Sequence, residues 1–286
     1  MPGAFIPIAL GLFSAITVAI ANVAVKRGGD VLTARMVLSL TMAATVLPFA
    51  FFVPLPPAAL WPAIIGAVIV HWFYQFCLIR ALHRGDLSLV FPVMRGLAPF
   101  FTAILAYLAV RETLAPVAIA GLAIASGALI IFALPTERPL DQRLLDRSAL
   151  SWAVGTAIGI AAYSVVDAQV ARAMPVTGTF VVWLFLLDWI AITVVTLWTR
   201  RGEVLDRVRP QLKAGLWGGI AGTLSYGAAL FAYSLTDTTA LVTALRETSV
   251  VFAALLGWLF LKEGFGARRT LAAWALASGL LLMQLG

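Results

Sequence analysis

The stretch from Tyr74 to Glu112 reads YQFCLIRALHRGDLSLVFPVMRGLAPFFTAILAYLAVRE, two long apolar runs with an arginine, Arg95, inside the second. Further along, Tyr226 to Glu263 reads YGAALFAYSLTDTTALVTALRETSVVFAALLGWLFLKE. Overlaid at an offset of about 151 residues, Asp86 meets Asp237, Arg95 meets Arg246, and Arg111-Glu112 meets Lys262-Glu263. One slip later, IASG at Ile124 to Gly127 meets LASG at Leu276 to Gly279. The chain reads as two copies of one unit, each with an arginine at the same depth in an apolar span.

Composition names the solvent. Of 286 residues, 62% are hydrophobic and 12% charged, and mean hydropathy is +1.00. A soluble domain carries about a quarter charged residues. So much apolar surface belongs in lipid. The formal net charge of +7 sits in short loops between apolar runs, a membrane-topology pattern and not a phosphate-binding stripe, so nucleic acid is not an expected partner. Cys77 is the single cysteine, and His71 and His83 are the two histidines. Neither disulfide nor metal-ligand spacing is present, and no metal or other cofactor is expected.

Ten spans follow from the apolar runs, near residues 5–25, 34–53, 59–80, 86–110, 115–134, 149–171, 179–198, 214–234, 240–261 and 267–285. The runs are too long and unbroken for outer-membrane strands, and helices satisfy their own backbone groups in lipid. The expected fold is an all-α membrane protein of ten transmembrane helices, arranged as two inverted five-helix repeats. Residues 1–134 form the first repeat, 135–148 a polar cytoplasmic linker, and 149–286 the second. Loops after odd-numbered spans, with the span ends that adjoin them, hold 16 of the 20 Lys and Arg, and loops after even-numbered spans hold 2. That bias puts the odd loops in the cytoplasm and both termini outside it. Five spans per copy is odd, so the copies face opposite ways, and matching loops carry opposite charge bias: none after span 2 against five Lys and Arg after span 7. Inverted repeats of this kind belong to secondary transporters.

Ionisable groups inside spans point to function, because each is costly in lipid unless paired or facing water. Arg95 and Arg246 are two. Asp167, Asp188 and Glu247 are the acids at depth. Either the arginines neutralise these carboxylates and pin the bundle, or one borders a solvated cavity and meets a substrate carboxylate. A buried pair that opens during transport does both. Helical spacing puts His71 and Tyr74 on one stripe with Gln75 beside it, Thr223 and Tyr226 on another, and Thr239, Thr243 and Arg246 on a third. Tyr163 and Asp167 lie in span 6, and Asn22 near the end of span 1. Gly121 and Gly279 lie in small-residue runs that read as helix contacts.

With these residues in view, the chain resembles ten-helix members of the drug/metabolite transporter superfamily of the EamA type. The resemblance covers nearly the whole chain. It rests on the two five-helix units, the basic-Glu pairs Arg111-Glu112 and Lys262-Glu263, and Asn22. The family's proline thirteen residues before the Glu is Pro99 in the first copy, but Val250 stands there in the second. Within the superfamily the chain is most similar to the YddG-type exporters of aromatic and other uncharged amino acids. The resemblance implies a cavity among helices 1, 3, 4, 6, 8 and 9, and alternating access. The expected function is a secondary transporter of the bacterial inner membrane, not an enzyme, exporting amino acids with large apolar side chains as monomer or homodimer in the lipid bilayer. Substrate would meet Asn22, His71, Tyr74, Gln75, Arg95, Tyr163, Asp167, Tyr226, Thr243 and Arg246. A nucleobase, sugar derivative or toxic compound is the alternative substrate, and an intramembrane enzyme the remote one. If transport is proton-coupled, Glu247, Asp167 and Asp188 are the candidate carriers.

Overall fold

A computed structural model describes residues 5–25, 30–84, 87–133, 147–252 and 266–285. Among them are ten α-helices of nine residues or more: α1 Phe5–Val25, α2 Val31–Val46, α3 Trp61–Arg84, α4 Leu87–Val110, α5 Pro116–Ala133, α6 Arg147–Ala173, α7 Thr177–Thr199, α8 Leu212–Ser234, α9 Thr239–Glu247 and α10 Gly266–Leu285. Asp86, Lys262 and Glu263 lie outside the described residues, as does the linker up to residue 146. The last two residues of the expected linker belong to α6.

Local signals set the helix ends. Asp30 caps α2, its carboxylate accepting the Thr33 amide at 3.4 Å and the Thr33 hydroxyl at 2.8 Å, which satisfies donors that the first turn leaves open. Pro48 follows α2 and turns the chain into a short 3-10 segment. Pro62 and Pro116 sit in the first turns of α3 and α5, where a missing amide proton costs nothing. At the end of α4 the chain turns through Arg111, which has φ of 58°. The left-handed region costs a non-glycine residue about 1 kcal/mol or more.

Among the described residues, five spans are by themselves long and apolar enough to cross a bilayer: Val31–Phe51, Ala58–Arg84, Val93–Val110, Arg147–Ala173 and Thr177–Thr199. Phe5–Ala19 and Pro116–Phe132 are apolar but shorter. The chain is a multi-pass membrane protein. Large apolar side chains such as Phe5, Ile69, Trp198 and Trp274 are exposed, a surface suited to lipid and a liability in water. The ninth expected span differs from expectation. The apolar run over 240–261 is not one helix: α9 stops at Glu247, Thr248 forms a turn, and helix resumes at residue 249. The Thr248 hydroxyl donates to the Leu245 carbonyl at 2.6 Å, and such back-bonding bends or ends helices.

The chain forms two compact units, each drawing on both sequence halves: Met1–Trp72 with Val166–Leu235, and Phe73–Val165 with Thr236–Gly286. In the first, α1 packs on α8, and α2 on α7 and α8. In the second, α5 packs on α10, and α4 on α5 and α9. The core of the second unit includes Leu129, Phe132, Val250 and Leu276. Its α5–α10 contact depends on the small residues singled out in the sequence. A Cβ on Gly121 would fall 2.5 Å from the Gly279 carbonyl oxygen, and one on Gly279 would fall 2.6 Å from that of Gly121. The backbones touch, as small residues permit.

Candidate functional site

The first unit holds a buried cluster of three helices' side chains. His71 of α3 approaches Asp167 of α6, Nε2 to Oδ2, at 2.8 Å. The Tyr226 hydroxyl of α8 donates to the same Asp167 Oδ2 and lies 3.3 Å from His71 Nε2. The rings of His71 and Tyr226 meet edge to face, 88° apart in plane, and Phe185 of α7 closes over Tyr226 at 6.0 Å between centroids. Asp167 is 0% exposed. Its second oxygen, Oδ1, has no hydrogen-bond partner among the described residues. A buried carboxylate is tolerated only with donors, and here both donors fall on one oxygen.

Neighbouring bonds hold these helices in register. Next to His71, the Trp72 indole donates to the Asp188 carbonyl of α7 at 3.0 Å. Next to Tyr226, the Ser225 hydroxyl donates to the Ser14 carbonyl of α1 at 2.7 Å, and the two hydroxyls meet at 3.1 Å. Beyond Asp167, Arg172 Nε donates to the Tyr233 carbonyl at 3.1 Å. Each helix of the cluster is therefore tied by a cross-helix bond near its functional side chain, which fixes rotamers and distances.

The second unit holds an ion pair. Arg95 Nη1 of α4 donates to Glu247 Oε2 of α9 at 2.8 Å, with side chains 15% and 1% exposed. Tyr74 of α3 and Tyr163 of α6 stand edge to face with centroids 5.1 Å apart, within electrostatic reach of Arg95. Gly159 permits that approach: a Cβ there would lie 3.0 Å from Tyr74 Cα. Every residue of α9 is buried, Thr243 and Arg246 included, and Thr243 returns its hydroxyl to the Thr239 carbonyl at 3.1 Å. Gln75 is buried on α3. Glu112, immediately after the left-handed Arg111, accepts the Thr239 amide at 2.7 Å and that of Ala240 at 3.5 Å. Its negative charge thus caps the positive end of α9, the helix that carries Glu247.

Of the expected site residues, His71, Asp167 and Tyr226 come together in one unit, and Arg95, Tyr74 and Tyr163 in the other. Gln75, Thr243 and Arg246 are buried in the second unit. Asn22 lies on α1, and its side chain is outside the described residues. Sequence reasoning left the pairing of one acid open and missed the role of another. Glu247 is the counter-ion of Arg95, 152 residues away; it follows Arg246, the repeat mate of Arg95, so the acid stood one position from the aligned arginine. Glu112 was read only as part of a motif, and the structure makes it a helix cap.

Residues 1–134 match the model of the EamA-like transporter family. The matched segment is just under half of the 286-residue chain. It covers α1 to α5 with His71, Tyr74, Gln75 and Arg95, but not their partners Asp167, Tyr226 and Glu247. No curated protein sequence matches the chain. A solved crystal structure is similar over 99% of this chain and 96% of its own, with a TM-score of 0.72 at 16% identity. At that identity the likeness concerns the fold alone.

Proposed function

We propose that the chain is a secondary transporter of small zwitterionic metabolites, exporting aromatic and other uncharged amino acids across the bacterial inner membrane by alternating access. The match of residues 1–134 to the EamA-like transporter family supports the general class. In the same proposal residues 1–134 and 149–286 are inverted repeats, and the loop-charge bias puts both termini outside the cytoplasm. Packing of α5 on α10, of α4 on α9 and of α2 on α7 supports the repeat, since in these three pairs a helix touches the one five places on.

The observation that carries the substrate class is the Arg95–Glu247 pair with two tyrosine rings in electrostatic reach of the guanidinium. An α-amino acid brings one carboxylate and one ammonium. When the pair opens, the guanidinium takes the carboxylate and Glu247 takes the ammonium, so neither protein charge is left bare. The rings of Tyr74 and Tyr163 offer apolar and π surface to a large side chain. Thr243, Gln75 and Arg246 add polar groups in the same unit. The break after Glu247 fits this role, because interrupted helices supply polar backbone where transporters bind substrate.

The test is flux from proteoliposomes loaded in turn with radiolabelled phenylalanine, threonine and uracil. Phenylalanine efflux well above that of protein-free vesicles is expected. Uracil flux without amino-acid flux would assign another substrate. Tags at the two ends that report opposite sides of the membrane would overturn the ten-crossing arrangement.

A further inference from the structure

We propose that His71, Asp167 and Tyr226 form a proton-binding site, and that its loading and unloading couples transport to the proton gradient. The inference rests on the transport reading for its use, but not for the titration itself. Its ground is the atomic arrangement. Asp167 Oδ2 receives Tyr226 and faces His71 Nε2 at 2.8 Å. A carboxylate accepts, so the imidazole proton in that contact sits on Nε2. With Nδ1 unprotonated, the three side chains carry one buried negative charge between them. One further proton, on His71 Nδ1 or on Asp167 Oδ1, makes it neutral overall. Asp167 Oδ1 is buried and has no hydrogen-bond partner among the described residues, so the cluster has an open position for that proton. An isolated buried charge is costly, and histidine is the side chain that changes charge near neutral pH. The cluster therefore has two states, one proton apart.

The titratable and charged groups on the packed helices of this unit are His71 on α3, Asp167 and Arg172 on α6, Asp188 on α7, Lys213, Tyr226 and Tyr233 on α8, and Asp30 and Arg35 at the start of α2. The described side chains of α1, residues 5–19, carry no charge. In the second unit the buried acid Glu247 is held by Arg95, and a guanidinium does not give up its proton in proteins. That pair is neutral without taking a proton.

The chain has only two histidines, so the site can be watched directly. Full-length protein carrying ring-13C histidine, in detergent micelles, gives two imidazole signals. A His83→Gln variant assigns them, His83 lying exposed at the end of α3. The His71 signal is expected to titrate between about pH 5 and pH 9. Its midpoint should move by about one unit or more in Asp167→Asn, and by less in Tyr226→Phe, which serves if the first variant does not fold. A His71 signal that ignores pH, or keeps its midpoint in both variants, overturns the proposal. In proteoliposomes, the ratio of labelled phenylalanine flux with and without an imposed pH difference should exceed about threefold in the wild type. It should fall to about one in Asp167→Asn and to an intermediate value in Tyr226→Phe. A wild type that moves phenylalanine with a ratio of one also overturns the coupling. If it moves no phenylalanine, the substrate reading fails, and the histidine titration alone decides the proton site.

Discussion

Among the described residues each compact unit holds a charged contact between helices deep in the spans, and the two close at the same 2.8 Å. They differ in the cation. Arg95 is permanently charged, so Glu247 is neutralised by a partner that stays charged at any working pH. His71 is not, so the charge beside Asp167 depends on one proton. The surroundings differ accordingly. Asp167 has a second donor in Tyr226 on the oxygen that faces His71, whereas Glu247 receives a planar guanidinium with several donors to offer. A pair of fixed charge suits a ligand that brings its own two charges. A pair of variable charge suits a proton.

The sharpest way to break the comparison is to remove each cation. Arg95→Ala strands Glu247, 1% exposed, as an uncompensated buried acid. Loss of one partner of a buried pair costs about 3–5 kcal/mol. The thermal midpoint in detergent should drop by several degrees, and phenylalanine flux should fall at least about tenfold, the factor that 1.4 kcal/mol represents. Replacing both residues by leucine should restore much of the midpoint and none of the flux. His71→Ala should do less to stability, about 1–3 kcal/mol, because Asp167 keeps the Tyr226 hydroxyl and can itself take a proton. Equal losses in the two single variants would erase the distinction between the pairs.

Much of this contrast was legible in the residues. Long apolar runs gave the helices, because a backbone in lipid has to satisfy itself. Arg95, Arg246 and Asp167 stood out because charge inside such runs demands a reason, and the stripe through His71 and Tyr74 marked one face of α3. Pairings were not legible. His71 and Asp167 are 96 residues apart and Arg95 and Glu247 152 apart, and helical period says which face a residue takes but not which helix it meets. The break at Thr248 was hidden because apolar residues continue on its far side, and a threonine within a helix is unremarkable until its hydroxyl returns to the backbone. The left-handed turn at Arg111 carried no glycine signal. Span identity was least legible where small or charged residues dilute the apolar run, as in glycine-rich α8 and at Arg268 and Arg269 at the start of α10.

A smaller effect concerns how the second unit presents its acid. Glu112 caps α9, so Glu112→Ala should loosen the first turn of the helix that carries Glu247. Loss of a cap costs about 1 kcal/mol, up to about 2. The expected result is a thermal midpoint lowered by a few degrees with the His71 titration unchanged, since His71 lies in the other unit. A moved His71 midpoint would show that the two contacts are not independent.

The smallest effect lies outside the membrane spans, at Asp30. Partial burial pushes its carboxyl up, but hydrogen bonds from Thr33 and Arg200 and the charge of Arg200 more than offset this and hold it below the usual carboxylate range. Arg200 and Arg207 approach its two oxygens at 3.0 and 3.5 Å. A carboxyl lowered on folding contributes stability that is fully present above its unfolded pKa, about 3.9, and is lost as pH falls through the folded value. The Asp30 contribution is therefore constant through neutral pH, where the His71 cluster changes charge, and fades only below about pH 4. Asparagine caps a helix about as well as aspartate, so Asp30→Asn removes the ion pairs and keeps the cap. The variant should lose a degree or two of thermal midpoint at pH 7 and show a flatter acid limb than the wild type, because exposed ion pairs contribute about 1 kcal/mol or less. If instead Asp30→Asn altered stability between about pH 5 and pH 8, where histidine titrates, the change in that range could no longer be assigned to the His71–Asp167 contact alone.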